Sequence, residues 1–126
     1  MEMIIGGVYQ GKENYARKNF PDITWKKGSE LTEEELYQAE GILGFHDYIK
    51  RFLKEGKDLS GLAQELLEKN PNVVLVSEEV GYGIVPADTF ERRYRETVGR
   101  ICTELAAGSS KVTRVVCGIG MVLKNA

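Results

Sequence analysis

Histidine and tryptophan occur once each in this 126-residue sequence, cysteine twice and proline three times. Two cysteines cannot build the disulfide framework of a small secreted scaffold. Cys102 and Cys117 also lack the two-residue spacing of a zinc knuckle or redox pair. They read as buried reduced thiols. No uncharged apolar run approaches the roughly 18 residues that a membrane-spanning helix needs. The start, Met1-Glu2-Met3-Ile4-Ile5-Gly6, lacks the basic stretch and long apolar core of a signal peptide. A cytoplasmic protein without a membrane partner is expected. Charge of one sign is missing too: 17 Lys and Arg face 19 Asp and Glu. That balance excludes affinity resting on general phosphate neutralisation, so no nucleic-acid partner is expected. Any nucleotide must be held by a local site.

What is present is ordinary globular material, with 42% hydrophobic and 29% charged residues. The length suits one domain, residues 1–126. Met3 to Ile5 reads as a buried strand that runs into glycines. A helix follows over 11–19, closed by Pro21. Ile23 to Lys26 reads as a short strand, and Lys27-Gly28-Ser29 as a turn. Thr32 with Glu35 has the form of a capping box, while Leu36 to Glu40 also suits a strand end facing a site. Ile42, Phe45, Ile49, Phe52 and Leu53 follow helical spacing, ending at Gly56. Leu59 to Leu67 gives a second short helix, opened by Asp58 or Ser60. Val73 to Val76 has the continuous β-branched run of a strand buried on both faces. Asp88, with Glu91 three residues on, opens a long helix over about 88–107. Val112 to Cys117 is a last buried strand, followed by Gly118-Ile119-Gly120 and a short tail. Alternating strands and helices imply a three-layer α/β domain with a mostly parallel sheet.

Gly6-Gly7-Val8-Tyr9-Gln10-Gly11-Lys12-Glu13 matches G-x4-G-K, the phosphate-binding loop, up to its last position. A strand before it and a helix after it are the context the motif requires. Glycines let successive backbone N–H groups converge on one centre, and the helix N-terminus adds partial positive charge there. Lys12 would reach the β- and γ-phosphates of ATP or GTP as a point charge. The Ser or Thr that normally ligates Mg²⁺ is replaced by Glu13. Two like charges about 4 Å apart repel by roughly 4 kcal/mol at an effective dielectric of about 20. Nucleotide binding and a purely structural glycine turn both remain open on the loop alone.

The run Glu79-Val80-Gly81-Tyr82-Gly83-Ile84-Val85-Pro86, then Arg95 through Gly99-Arg100, then Gly118-Ile119-Gly120, is distinctive. It resembles the bifunctional cobinamide kinase / cobinamide-phosphate guanylyltransferase family of cobalamin biosynthesis, closely over about 71–123 and again over 1–18. The resemblance implies a P-loop α/β domain assembled as a homotrimer. It also implies phosphoryl transfer from ATP or GTP to cobinamide, then guanylyl transfer through a histidine. This chain departs from the pattern in three ways. Glu13 stands where the family has Ser. The segment between the first helix and Leu36 is much shorter. The single histidine, His46, does not sit at the guanylyl-accepting position, and reads as structural rather than covalent.

Three glutamates compete for roles. Glu40, aligned with a third-strand glutamate of the family, either holds Mg²⁺ at the loop's mouth or is a surface residue. Glu79, after a buried strand, is the candidate for substrate or metal contact, because side chains at the carboxyl end of parallel strands face the ligand crevice. Glu78 reads as solvent-facing. Lys12, Glu40 and Glu79 are thus the catalytic candidates, and a kinase without guanylyltransferase activity is the expected function. The alternative is a non-catalytic nucleotide-binding regulatory or assembly subunit. A third reading keeps only the fold, with the glycines retained for geometry.

Overall fold

The computed structural model describes residues 1–79 and 88–126. The Val80–Pro86 part of the distinctive loop lies outside the described residues. Six strands form one sheet in the order β2-β3-β4-β1-β5-β6. They are β1 (Glu2–Gly6), β2 (Trp25–Lys27), β3 (Gly41–Leu43), β4 (Val74–Glu78), β5 (Lys111–Val116) and β6 (Ile119–Asn125). The first five pair in parallel, and β6 returns antiparallel to β5. The helices are α1 (Lys12–Asn19), α2 (Glu33–Leu36), α3 (Phe45–Lys54), α4 (Leu62–Lys69) and α5 (Thr89–Gly108).

Alternation along the strands sends side chains to opposite faces of the sheet. Met3, Ile42, Leu75 and Val112 pack with α3, α4 and α5 in the larger core. Ile4, Leu43, Val76 and Val115 pack on the other side with Ala16, Tyr15, Phe20 and Trp25. The sheet is therefore covered on both faces, as the continuous apolar strands predict. The second face is covered by α1 where the first has α3, α4 and α5. The three-layer, mostly parallel α/β architecture is the one expected.

Local signals hold at several ends. Thr32 and Glu35 form the full capping box, each side chain accepting the other's backbone N–H. The Asp88 carboxylate accepts from the N–H groups of Phe90 and Glu91 and starts α5. Two expectations need correction. Ile42 belongs to β3, not to a helix with Phe45. Gly44, at φ 69°, breaks the chain between strand and helix. The tail after Gly118 is a seven-residue strand, not a loose end. Its two-residue connection, Cys117 at φ 52° and Gly118 at φ 76°, has the paired positive φ of a tight hairpin turn. Cys117 is thereby exposed rather than buried, while Cys102 is packed beside Ser77.

Close backbone approach fixes where β3 ends. The Gly28 N–H donates to the Leu43 carbonyl at 2.7 Å. A Cβ on Gly28 would lie 2.0 Å from the Gly44 oxygen. The Arg51 guanidinium, reaching back from α3, donates to the carbonyls of Gly28 and Leu31. Together these bonds set the Gly44–His46 corner at the carboxyl edge of the sheet.

Candidate active site

The glycine loop leaves β1 at Gly6 and enters α1 at Lys12. Gly6 packs tightly against β5, for a Cβ there would sit 2.8 Å from the Val115 oxygen. Tyr9 takes φ 60°, an uncommon backbone for a side-chain-bearing residue, and is almost fully exposed. Gln10 holds the loop in that shape. Its side-chain oxygen accepts the Cys117 N–H at 2.7 Å, and its carbonyl accepts the Gly118 N–H at 2.7 Å. Gly11, at φ 85°, makes the final bend against Gly118. No side chain caps α1, so its first-turn amides remain open to an anion. The Lys12 ammonium folds back onto the Gly7 carbonyl at 3.3 Å, across the curl of the loop.

Beside this curl lies a cavity of about 360 Å³. Val8, Tyr9, Gly11, Lys12 and Glu13 line one side, and His46, Asp47 and Glu78 the other. The expected loop residues Gly11, Lys12 and Glu13 thus share one cavity, with Gly6, Gly7 and Gln10 as its frame. Glu13 is exposed in the first turn of α1, at the rim.

The structure sorts the glutamates differently from the sequence. Glu40 precedes β3 and stands at the amino edge of the sheet, where its carboxylate accepts the Thr24 N–H at 3.1 Å. It lines another cavity there with Met1, Glu2 and Asn70. The parallel sheet puts that edge opposite the glycine loop, so Glu40 cannot serve the loop's mouth. Glu79 donates its N–H to the Gly6 carbonyl, and its carboxylate pairs with Arg114 Nε at 2.8 Å. The ion pair ties β4 to β5 and keeps Glu79 off the cavity wall. Glu78, expected in solvent, faces the cavity, and its residue stands in register with Gly6 of β1.

His46 is the second residue missed. It lies in the first turn of α3, at the carboxyl edge. Its Nδ1 accepts the Glu78 N–H at 3.0 Å, and its Nε2 stands 3.1 Å from Glu78 Oε2. Asp47 Oδ1 is 3.7 Å away. The bonded Nδ1 must be unprotonated, so the neutral ring carries its proton on Nε2. Burial pushes the imidazole below its ordinary value of 6.5, with help from Lys12 and Lys50, against the opposing pull of Asp47 and Glu78. One signal in the sequence pointed here: a histidine two residues after a glycine, following an apolar stretch. It was masked because Ile42 fits the helical spacing of α3.

Among the described residues no three His, Cys, Asp or Glu side chains converge to hold a metal ion. The loop also carries Glu13 where a hydroxyl ligand would stand. The donor set does not amount to a resident Mg²⁺ site, and Glu40 is not part of one.

A glycine loop feeding an uncapped helix, with a lysine across it and a cavity beside it, is an arrangement for polyphosphate. The family model described as cobinamide kinase / cobinamide phosphate guanyltransferase matches residues 36–123, more than half of the chain. The chain belongs to this family. The matched range begins after the glycine loop. Among curated proteins, the bifunctional adenosylcobalamin biosynthesis proteins CobU of Escherichia coli and CobU of Salmonella typhimurium are each 48% identical over 52 residues. Those matches cover 41% of this chain and 29% of each relative. CobP of Pseudomonas aeruginosa is 38% identical over 53 residues, covering 42% of this chain and 31% of its own. The aligned segments therefore span less than a third of the relatives' length. No described helix is long and apolar enough to cross a membrane.

Proposed function

We propose that this chain is a nucleotide-dependent phosphotransferase of the cobinamide kinase type, acting in cobalamin biosynthesis. The observation that carries the reading is the cavity shared by Lys12 and the left-handed glycine loop at an uncapped helix start. The loop amides and Lys12 hold the phosphates of ATP or GTP, and Mg²⁺ enters as part of the nucleotide substrate. Catalysis rests on positioning and charge neutralisation. Cobinamide is the acceptor that family membership favours. Cobinamide-driven consumption of ATP or GTP, lost in Lys12→Ala, is the expected result. No consumption by the wild-type chain with either nucleotide contradicts it.

Guanylyl transfer through histidine is proposed to be absent. His46 Nδ1 accepts the Glu78 N–H and its Nε2 carries the ring proton, which leaves no lone pair for a phosphorus centre. Incubation with GTP labelled at the α-phosphate should leave the protein unlabelled, and a stable guanylyl adduct on His46 overturns this. A second reading, a nucleotide-binding regulatory or assembly subunit, draws on Glu13 at the hydroxyl position. Tight binding independent of Mg²⁺, with no product, favours it over the kinase. A homotrimer in the cytoplasm accompanies either reading. Support for assembly comes from the exposed apolar residues Ile119, Met121, Val122 and Leu123 on edge strand β6. Sedimentation as a monomer at micromolar concentration contradicts it.

A further inference from the structure

Glu78 and His46 form a unit that the loop motif does not explain. Glu78 ends β4, the strand beside β1, and stands in register with Gly6, where the glycine loop departs. Its side chain is 19% exposed and lines the cavity with Lys12. His46 meets this one residue twice: its Nδ1 accepts the backbone N–H, and its Nε2 stands 3.1 Å from Oε2. The Nδ1 bond fixes the tautomer with the proton on Nε2, the ring nitrogen that lies against the carboxylate. Glu78 Oε1 has no hydrogen-bond or ion-pair partner among the described residues. A carboxylate with one oxygen against an imidazole and the other without a partner among the described residues, beside a phosphate loop, is oriented to accept a proton.

We propose that Glu78 takes the proton of the alcohol that receives the phosphoryl group, with His46 as the positioning residue that aims it. This rests on the phosphotransferase reading given above. The acceptor oxygen forms a bond to the γ-phosphorus as the bond from that phosphorus to the β-bridging oxygen breaks. The nucleoside diphosphate leaves with that electron pair. The hydroxyl proton passes to Glu78 Oε1 and from there to solvent. Four charged or titratable groups face the imidazole: Glu78 from β4, Lys12 from α1, and Asp47 and Lys50 from α3. Burial favours the neutral ring beside the carboxylate.

The test uses the full chain with ATP or GTP, Mg²⁺ and cobinamide. Glu78→Gln is expected to lower kcat about 100-fold with nucleotide affinity changed less than about threefold. Glu78→Asp, which keeps the charge, should recover part of the rate. His46→Asn should lower kcat about tenfold and move the acid limb of the pH–rate profile, a shift that a purely structural role would not produce. A Glu78→Gln enzyme with unchanged kcat overturns the proposal. So does a Glu78→Gln chain whose nucleotide affinity falls as far as its rate, which would assign Glu78 to the nucleotide or its metal. A second readout needs no turnover, because His46 is the only histidine in the chain. Nitrogen NMR should find the Nε2–H tautomer at neutral pH, and Glu78→Gln should lower the imidazole titration further. An Nδ1–H tautomer, or a titration indifferent to Glu78→Gln, refutes the clamp. Nucleotide binding without transfer in the wild type sinks the proposal together with the kinase reading. Failure to bind nucleotide at all sinks the loop assignment itself.

Discussion

The two edges of the sheet carry the same residue type to different ends. At the amino edge, Glu40 lines a cavity of about 460 Å³, larger than the 360 Å³ cavity beside the glycine loop. Yet two of the polar side chains there already serve the backbone. Glu40 accepts from the Thr24 N–H, and Asn70 donates to the carbonyls of Leu36 and Ala39. At the carboxyl edge no side chain among the described residues caps α1, Glu78 Oε1 has no partner among them, and a lysine spans the loop. Volume alone does not make a site. Convergent polar groups with unspent capacity do, and parallel strands gather them at one end.

The sharpest way to break this contrast is to disturb the frame of the carboxyl edge. Gly28→Ala places a Cβ against the Gly44 carbonyl and should cost about 3 kcal/mol in urea unfolding, at the upper end for overpacking. Gly61→Ala, which opens onto empty space, should stay within about 0.5 kcal/mol. If the two variants unfold alike, the close approach at Gly28 does not hold the corner. A smaller effect is expected at the rim. Glu13→Ser removes a carboxylate beside the phosphates, and nucleotide affinity should rise up to about tenfold by calorimetry. A fall in affinity would mean that Glu13 helps to hold the nucleotide, for instance through Mg²⁺.

Acid should separate the edges as well. His46 titrates below 6.5 in the folded chain, so the unfolded chain binds its proton first. Its contribution to stability is complete above 6.5 and shrinks as the pH falls through and below that value. The wild type should therefore lose more stability than His46→Asn between about pH 7.5 and about pH 5.5, measured by urea midpoints. Equal losses would place the acid sensitivity elsewhere. The smallest effect belongs to the amino edge. Glu40→Gln should change stability by less than about 0.5 kcal/mol and leave nucleotide affinity untouched. A weakened affinity there would reinstate Glu40 as a site residue.

The sequence made the architecture readable because its central strands are continuous apolar runs and two helices have capped starts, at Asp88 for the long α5 and Thr32 for the short α2. The loop was readable because G-x4-G-K followed a strand. Register was not. Ile42 fits two periods, since a three-residue strand is too short to display alternation, and that one residue carried His46 to the wrong face. Glu78 and Glu79 are neighbours, so which of them faces the crevice depends on where β4 ends. Val73 to Val76 alone leaves that open, and the answer rests on the pairing of Gly6 with Glu78. The hairpin at Cys117-Gly118 was hidden because Cys is an unusual residue for a left-handed turn position.

The claim on which the rest stands is that the loop around Lys12 grips a polyphosphate. Titrating ATP and GTP into the wild-type chain and into Lys12→Ala, with and without Mg²⁺, tests it directly. Saturable binding is predicted, weakened about tenfold or more by Lys12→Ala, the scale of losing one charge-assisted contact. Absence of binding at millimolar nucleotide, or binding indifferent to Lys12→Ala, would contradict it.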